Sequence, residues 1–212
     1  MDADKRRFKR RYVALHESAH AVAHILTDRP FAGVSIVPDA TSFGRVWYRP
    51  DQENPTPKAG TDRRIVSAWL FIGLAGRVFH CEALPLPQQP CDTATVAGWC
   101  RLCSGDIEPA ALLGRALQAA HRWFCRPENR VPVEALADEL MRQRELSAED
   151  ARIIALRTGC GQKSRVSCSR SIGIIWRSPE QRSAIARTAA VARWGKKSDV
   201  HADAHAKRKT SG

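Results

Sequence analysis

The stretch YVALHESAHAVAHILT, residues 12–27, decides how the rest of this chain is read. Its apolar residues recur at helical spacing, and Asp28-Arg29-Pro30 closes it. Inside it stands His16-Glu17-Ser18-Ala19-His20. Residues four apart on a helix share one face, so two imidazole nitrogens there can reach a single zinc at about 2.0–2.1 Å. Glu17, beside the first histidine, is aimed at the metal's open position, where a carboxylate can take a proton from water and pass it to a leaving amine. Ser18 and Ala19 are small enough for metal and substrate to approach, and Val13, Leu15, Val22 and Ile25 suit a buried helix. His24 repeats the spacing, but eight residues on from His16 the helix has advanced roughly 10–12 Å. It reads as a packing or supporting residue.

A catalytic zinc takes a third protein ligand and keeps one position open. Downstream, His80, Glu82, Asp92, Asp106, Glu108 and His121 are candidates, and spacing does not choose among them.

Outward from the motif, the pattern predicts a mainly α domain with a small β-hairpin or sheet, an α+β class. Val34–Val37 and Gly44–Tyr48 read as two short strands, and 49–61 as an exposed loop. Asp62 can cap a helix from Arg63 to Cys81, apolar on most sides and therefore buried. Residues 84–92 carry three prolines and read as a loop, and Thr93–Cys103 as a helical turn or more. Helices are expected over Ile107–Phe124, Val133–Arg144 and, capped by Ser147, up to Arg157. The expected organisation is a basic arm (1–11), a domain (12–157), a linker (158–177), a basic Ala/Arg-rich helix (178–194) opened by Ser178-Pro179, and a disordered tail (195–212).

Charge follows the same division. The chain carries +12, with six Lys/Arg against two Asp in 1–11 and twelve against three Asp/Glu in 161–212, leaving 12–160 at −1. A near-neutral body with basic ends does not read as a nucleic-acid-binding core; the tail alone is a candidate polyanion contact, or a solvated segment. No run reaches the roughly 20 apolar residues that cross a bilayer, and no apolar signal core follows the basic start, so the expected compartment is cytoplasmic. Seven cysteines, an odd number, do not suggest a disulfide framework. Cys100 and Cys103 form a single CxxC without a second pair, a weak zinc signal beside the reading as buried small hydrophobes.

These segments in this order resemble the peptidase domain of the FtsH-type ATP-dependent zinc metalloproteases. The resemblance rests on His16-Glu17-Ser18-Ala19-His20, Val34-Ser35-Ile36-Val37-Pro38 with Gly44, Leu74-Ala75-Gly76-Arg77, Ser104-Gly105-Asp106-Ile107, and Glu134-Ala135-Leu136-Ala137 through Leu146-Ser147-Ala148-Glu149, spanning roughly 12–157. It implies zinc held by His16, His20 and Asp106, with Glu17 as general base in peptide-bond hydrolysis. The sequence departs from the family at Ala19, at His80-Cys81-Glu82 and in the Pro-rich insert at 84–90. That insert leaves Asp92, and Glu82, as competitors for the third ligand, and Asp106 also suits a helix cap. The sequence carries no Gly-x-x-x-x-Gly-Lys-Ser/Thr loop. The expectation is therefore an ATP-independent endopeptidase acting on protein or peptide substrates, with delivery by a partner or an ATPase in trans, and oligomer formation, left open. Two other readings stand beside it: a non-catalytic interaction module on the same fold, and a nucleic-acid-associated protein acting through the tail.

Overall fold

The computed structural model describes residues 3–40, 42–48, 57–79, 90–173 and 175–176. The chain divides into two units, Met1–Trp176 and Arg177–Gly212; the second, with the predicted helix 178–194 and tail, lies outside the described residues.

The first helix, α1, runs Ala3–Thr27. The predicted basic arm is therefore no separate segment from Ala3 onward. Residues 3–11 contain neither Gly nor Pro and are dominated by Lys and Arg, good helix formers, so nothing stops the helix before its N-terminus. Arg11 also pairs with Asp138 on a later helix. Two strands follow, β1 (Gly33–Ser35) and β2 (Arg45–Trp47), antiparallel with Val34 opposite Val46. The helix α2 (Arg63–Phe79) starts where predicted, the Asp62 carboxylate accepting from the Arg64 N–H at 2.7 Å.

After it the expectations shift. α3 spans Pro90–Cys103, so residues 90–92, read as loop, form its first turn. α4 is Pro109–Phe124, capped by the Glu108 carboxylate accepting from the Ala111 N–H at 2.7 Å. α5 is Pro127–Gln143 and begins six residues before the predicted Val133. Pro127 at its start needs no hydrogen-bond partner, and Asn129 Nδ2, buried, donates to the Trp123 carbonyl at 2.7 Å to bind α4's end to α5's start. Arg144 ends α5 with φ 68°, and Glu145–Ser147 then forms β3, which pairs antiparallel with β1. The predicted hairpin is thus two strands of a three-stranded sheet, ordered β2-β1-β3. Ser147 ends β3 and caps α6 (Ala148–Arg157), its Oγ accepting from the Asp150 N–H. The predicted linker is corrected by α7 (Gln162–Gly173): Cys160, Cys168 and Ile175 are fully buried, and Trp176 Nε1 donates to the Arg63 carbonyl at 3.1 Å. This stretch lacks clear apolar periodicity because its buried residues are small and few.

α1 makes its broadest contacts with α2 on one side and α5 on the other, and α2 is covered further by α3 and α4. Phe71 of α2 meets Trp123 and Phe124 of α4 at ring separations of 6.0 and 5.5 Å. Burying each large side chain of this kind contributes roughly 1.5–3 kcal/mol. The histidine motif on α1 thus sits against α2, on which α3 packs in turn.

Candidate metal centre

His16 and His20 lie one turn apart on α1 and face α2 and the first turn of α3. His20 Nδ1 is 2.7 Å from the main-chain oxygen of Ile72. A carbonyl only accepts, so this nitrogen carries the hydrogen and the neutral ring presents a bare Nε2 lone pair. That Nε2 is 3.1 Å from His16 Nε2 and 3.4 Å from Asp92 Oδ2, and His16 Nε2 is 3.0 Å from the same carboxylate oxygen. The two histidine side chains are 12% exposed and that of Asp92 30%. The three atoms form a triangle with edges of 3.0–3.4 Å. A tetrahedral ion with bonds of about 2.0–2.1 Å has ligand–ligand edges of about 3.3–3.4 Å. The three residues fit zinc.

Electrostatics agree that a positive charge belongs between them. Burial pushes the Asp92 carboxyl up, but hydrogen bonds and charge from His16 and His20 overcome this and hold it well below the usual carboxylate range. Burial pushes His20 down, and Asp92, with smaller help from Glu17 and the Ile72 carbonyl, overcomes it to leave the ring more basic than usual. A proton on His20 balances the Asp92 carboxylate, and a bound cation would take that proton's place.

Glu17 is 5% exposed. Burial raises its carboxyl above the ordinary value, partly offset by His16 and His20 and reinforced by Asp92. A carboxyl raised in this way would take up a proton more readily than an exposed one. Its backing is Gly44, just before β2: a Cβ there would stand 2.8 Å from Glu17 Cγ and 2.6 Å from Val13 Cγ1. Gly76 of α2 serves His16 in the same way, since a Cβ there would lie 2.5–2.7 Å from three atoms of the imidazole.

The carboxylate that stands with the two histidines is that of Asp92, not Asp106. Asp106 is exposed in the turn between α3 and α4 and is not among the clustered residues. The resemblance favoured Asp106 because Ser104-Gly105-Asp106-Ile107 matches the family's third-ligand segment, while the proline-rich insert kept Asp92 as its competitor. Pro90, at the first position of a helix, and an acid two residues on are themselves a helix-start signal, and this was the clue to Asp92. Glu108 caps α4, and His121, exposed, has Nε2 3.3 Å from Cys125 Sγ. His80 and Glu82 lie outside the described residues.

His24 is buried against Phe31, Tyr48 and Trp69, its Nε2 2.9 Å from the Tyr48 hydroxyl. It packs and does not join the cluster. Cys100 is buried, its thiol pushed up to about 11 chiefly by burial, and the Cys103 thiol donates to the Lys58 carbonyl at 3.2 Å. Neither belongs to a metal-ligating group among the described residues. No helix among the described residues is long and apolar enough to cross a membrane.

Neither the protein-family models nor the curated proteins compared with this chain give a match.

Proposed function

We propose that this chain is a zinc-dependent metalloendopeptidase in which His16, His20 and Asp92 hold the metal and Glu17 is the general base. The observation that carries the reading is the convergence of the two Nε2 atoms and Asp92 Oδ2 within 3.4 Å, with the His20 tautomer set by the Ile72 carbonyl.

Zinc bound there would supply a Lewis acid that polarises a peptide carbonyl and makes water a better nucleophile. The chain's own residues do the rest. Glu17 takes the proton from the attacking water as its oxygen bonds to the carbonyl carbon, and delivers it to the amine nitrogen as the C–N bond breaks. The low exposure of Glu17 limits competing water and keeps its charge strongly felt. Among the described residues β2 is an edge of the sheet, and it begins directly after Gly44, which touches Glu17. An extended substrate segment can add to such an edge and bring its main chain past the carboxylate. The substrate class is flexible protein segments, cleaved without ATP by this chain.

The test is zinc content by mass spectrometry of protein purified without chelator, with cleavage of an unfolded protein such as casein. Wild type should hold close to one zinc per chain. Glu17→Gln should keep the metal and lose cleavage by a factor on the order of 10²–10⁴. Wild type without zinc, or Glu17→Gln with undiminished cleavage, overturns the assignment.

A further inference from the structure

Each of the three ligands is served by one position in a short stretch of α2. The Ile72 carbonyl fixes His20, and the missing side chain of Gly76 admits the His16 ring. The next residue, Arg77, reaches α3, where its guanidinium NH1 donates to Thr93 Oγ1 at 2.6 Å. Thr93 directly follows Asp92.

Resting on the zinc reading above, we infer that Arg77 is a positioning residue for the third ligand, holding the first turn of α3 where Asp92 meets both histidines. α3 packs on α2 around Gly73, where a Cβ would stand 2.5 Å from Val96 Cγ2 and 3.1 Å from Trp99 Cζ3. That contact sets how close the helices come. It does not fix the end of α3, which lies a turn further on and has lost part of the helix's own hydrogen bonding, as every first turn does. The bond between Arg77 and Thr93 sits there. From Gly73 to Arg77 α2 advances four residues while the contact on α3 moves back from Val96 to Thr93, so the helices run antiparallel and the two contacts lie about one turn apart. Two points of attachment remove the tilt and axial slip that one would allow. The precision matters because zinc–ligand distances lie within about 0.2 Å of their ordinary values.

Three variants test this: Arg77→Ala, Thr93→Val, and the two combined. Thr93→Val removes the acceptor with little change of shape and keeps the arginine charge, so it separates geometry from electrostatics and decides the matter even where Arg77→Ala fails to fold. Zinc affinity is read by competition with a chelating indicator, and coordination by the visible spectrum of the cobalt(II)-substituted full-length chain. Each single variant should bind zinc about tenfold more weakly, and the double variant no more weakly than Arg77→Ala. The intense cobalt bands of a four-coordinate site should fade in all three, as in Asp92→Asn. Wild-type affinity together with a wild-type cobalt spectrum in Thr93→Val overturns the positioning role and leaves the zinc reading intact. A wild-type chain that binds no zinc overturns both.

Discussion

His20 Nδ1 donates to the Ile72 carbonyl at 2.7 Å, and this bond turns the opposite nitrogen of the ring into a donor atom facing His16 and Asp92. The helix α2 therefore sets the chemistry of a residue on α1. Fixing the tautomer and orientation in advance favours metal binding, because the ring does not have to be ordered when the ion arrives.

The choice between the two aspartates gives the simplest expectation. Asp92→Asn removes the anionic donor and should weaken zinc binding by at least about tenfold. Asp106→Asn, on an exposed turn, should bind zinc as wild type does. Indicator competition measures both, and the reverse order of effects would return the third-ligand role to Asp106.

Zinc removal should be visible in stability. A metal that binds only the folded state stabilises it by mass action, about 4 kcal/mol at a free concentration a thousand times its dissociation constant. Adding a chelator should lower the melting temperature of wild type and leave that of His20→Ala nearly unchanged. Equal responses in the two proteins would mean that the stabilising metal sits elsewhere.

Two glycines in helices should respond oppositely to alanine. At Gly114 of α4 an added Cβ meets nothing within 4 Å, so Gly114→Ala should stabilise by up to about 1 kcal/mol through helix propensity alone. At Gly76 the same gain is opposed by a Cβ placed 2.5–2.7 Å from the His16 ring, and overpacking of this kind costs about 1–3 kcal/mol. The ring can relieve the clash only by leaving the ligand cluster, so Gly76→Ala should lose zinc affinity as well. Chemical denaturation and metal titration read the two effects separately.

His24 predicts a pH dependence. Burial, chiefly, with smaller repulsion from His20 and Arg29 outweighing the help of a backbone carbonyl, lowers its pKa to about 3. The unfolded chain binds this proton below about 6.5 while the folded chain refuses it down to about 3. Its contribution is therefore intact above pH 6.5 and is lost as pH falls between those values, at up to about 1.4 kcal/mol per pH unit. His24→Gln should flatten that slope in denaturation curves taken from pH 7 to 4; an unchanged slope would remove His24 as its source.

Trp176 closes the described unit. Its indole N–H donates to the Arg63 carbonyl and to Ser67 Oγ, and Arg63 lies over its ring at 5.1 Å. Trp176→Phe keeps the ring and drops the donor, so it should cost about 1 kcal/mol, and Trp176→Ala more. Unfolding curves that do not distinguish these variants from wild type would show that the chain after α7 contributes nothing to α2.

Features that depend on neighbours along the chain were legible in the order of residues. The 3.6-residue period of 12–27 placed His16, Glu17 and His20 on α1, Asp62 marked the start of α2, and β-branched residues marked β1 and β2. Three features were decided by tertiary structure alone. β3 is three residues long and exists because β1 offers a partner across more than a hundred residues of chain. α7 is held by a few small buried side chains that leave no amphipathic period to read. Asp92 becomes a candidate ligand through the packing of α3 on α2, 76 residues beyond His16. Spacing in sequence specifies geometry only within one rigid element, and between elements the distance is set by which surfaces pack. The motif of α1 could therefore be read directly, whereas its third partner had to be found in the fold.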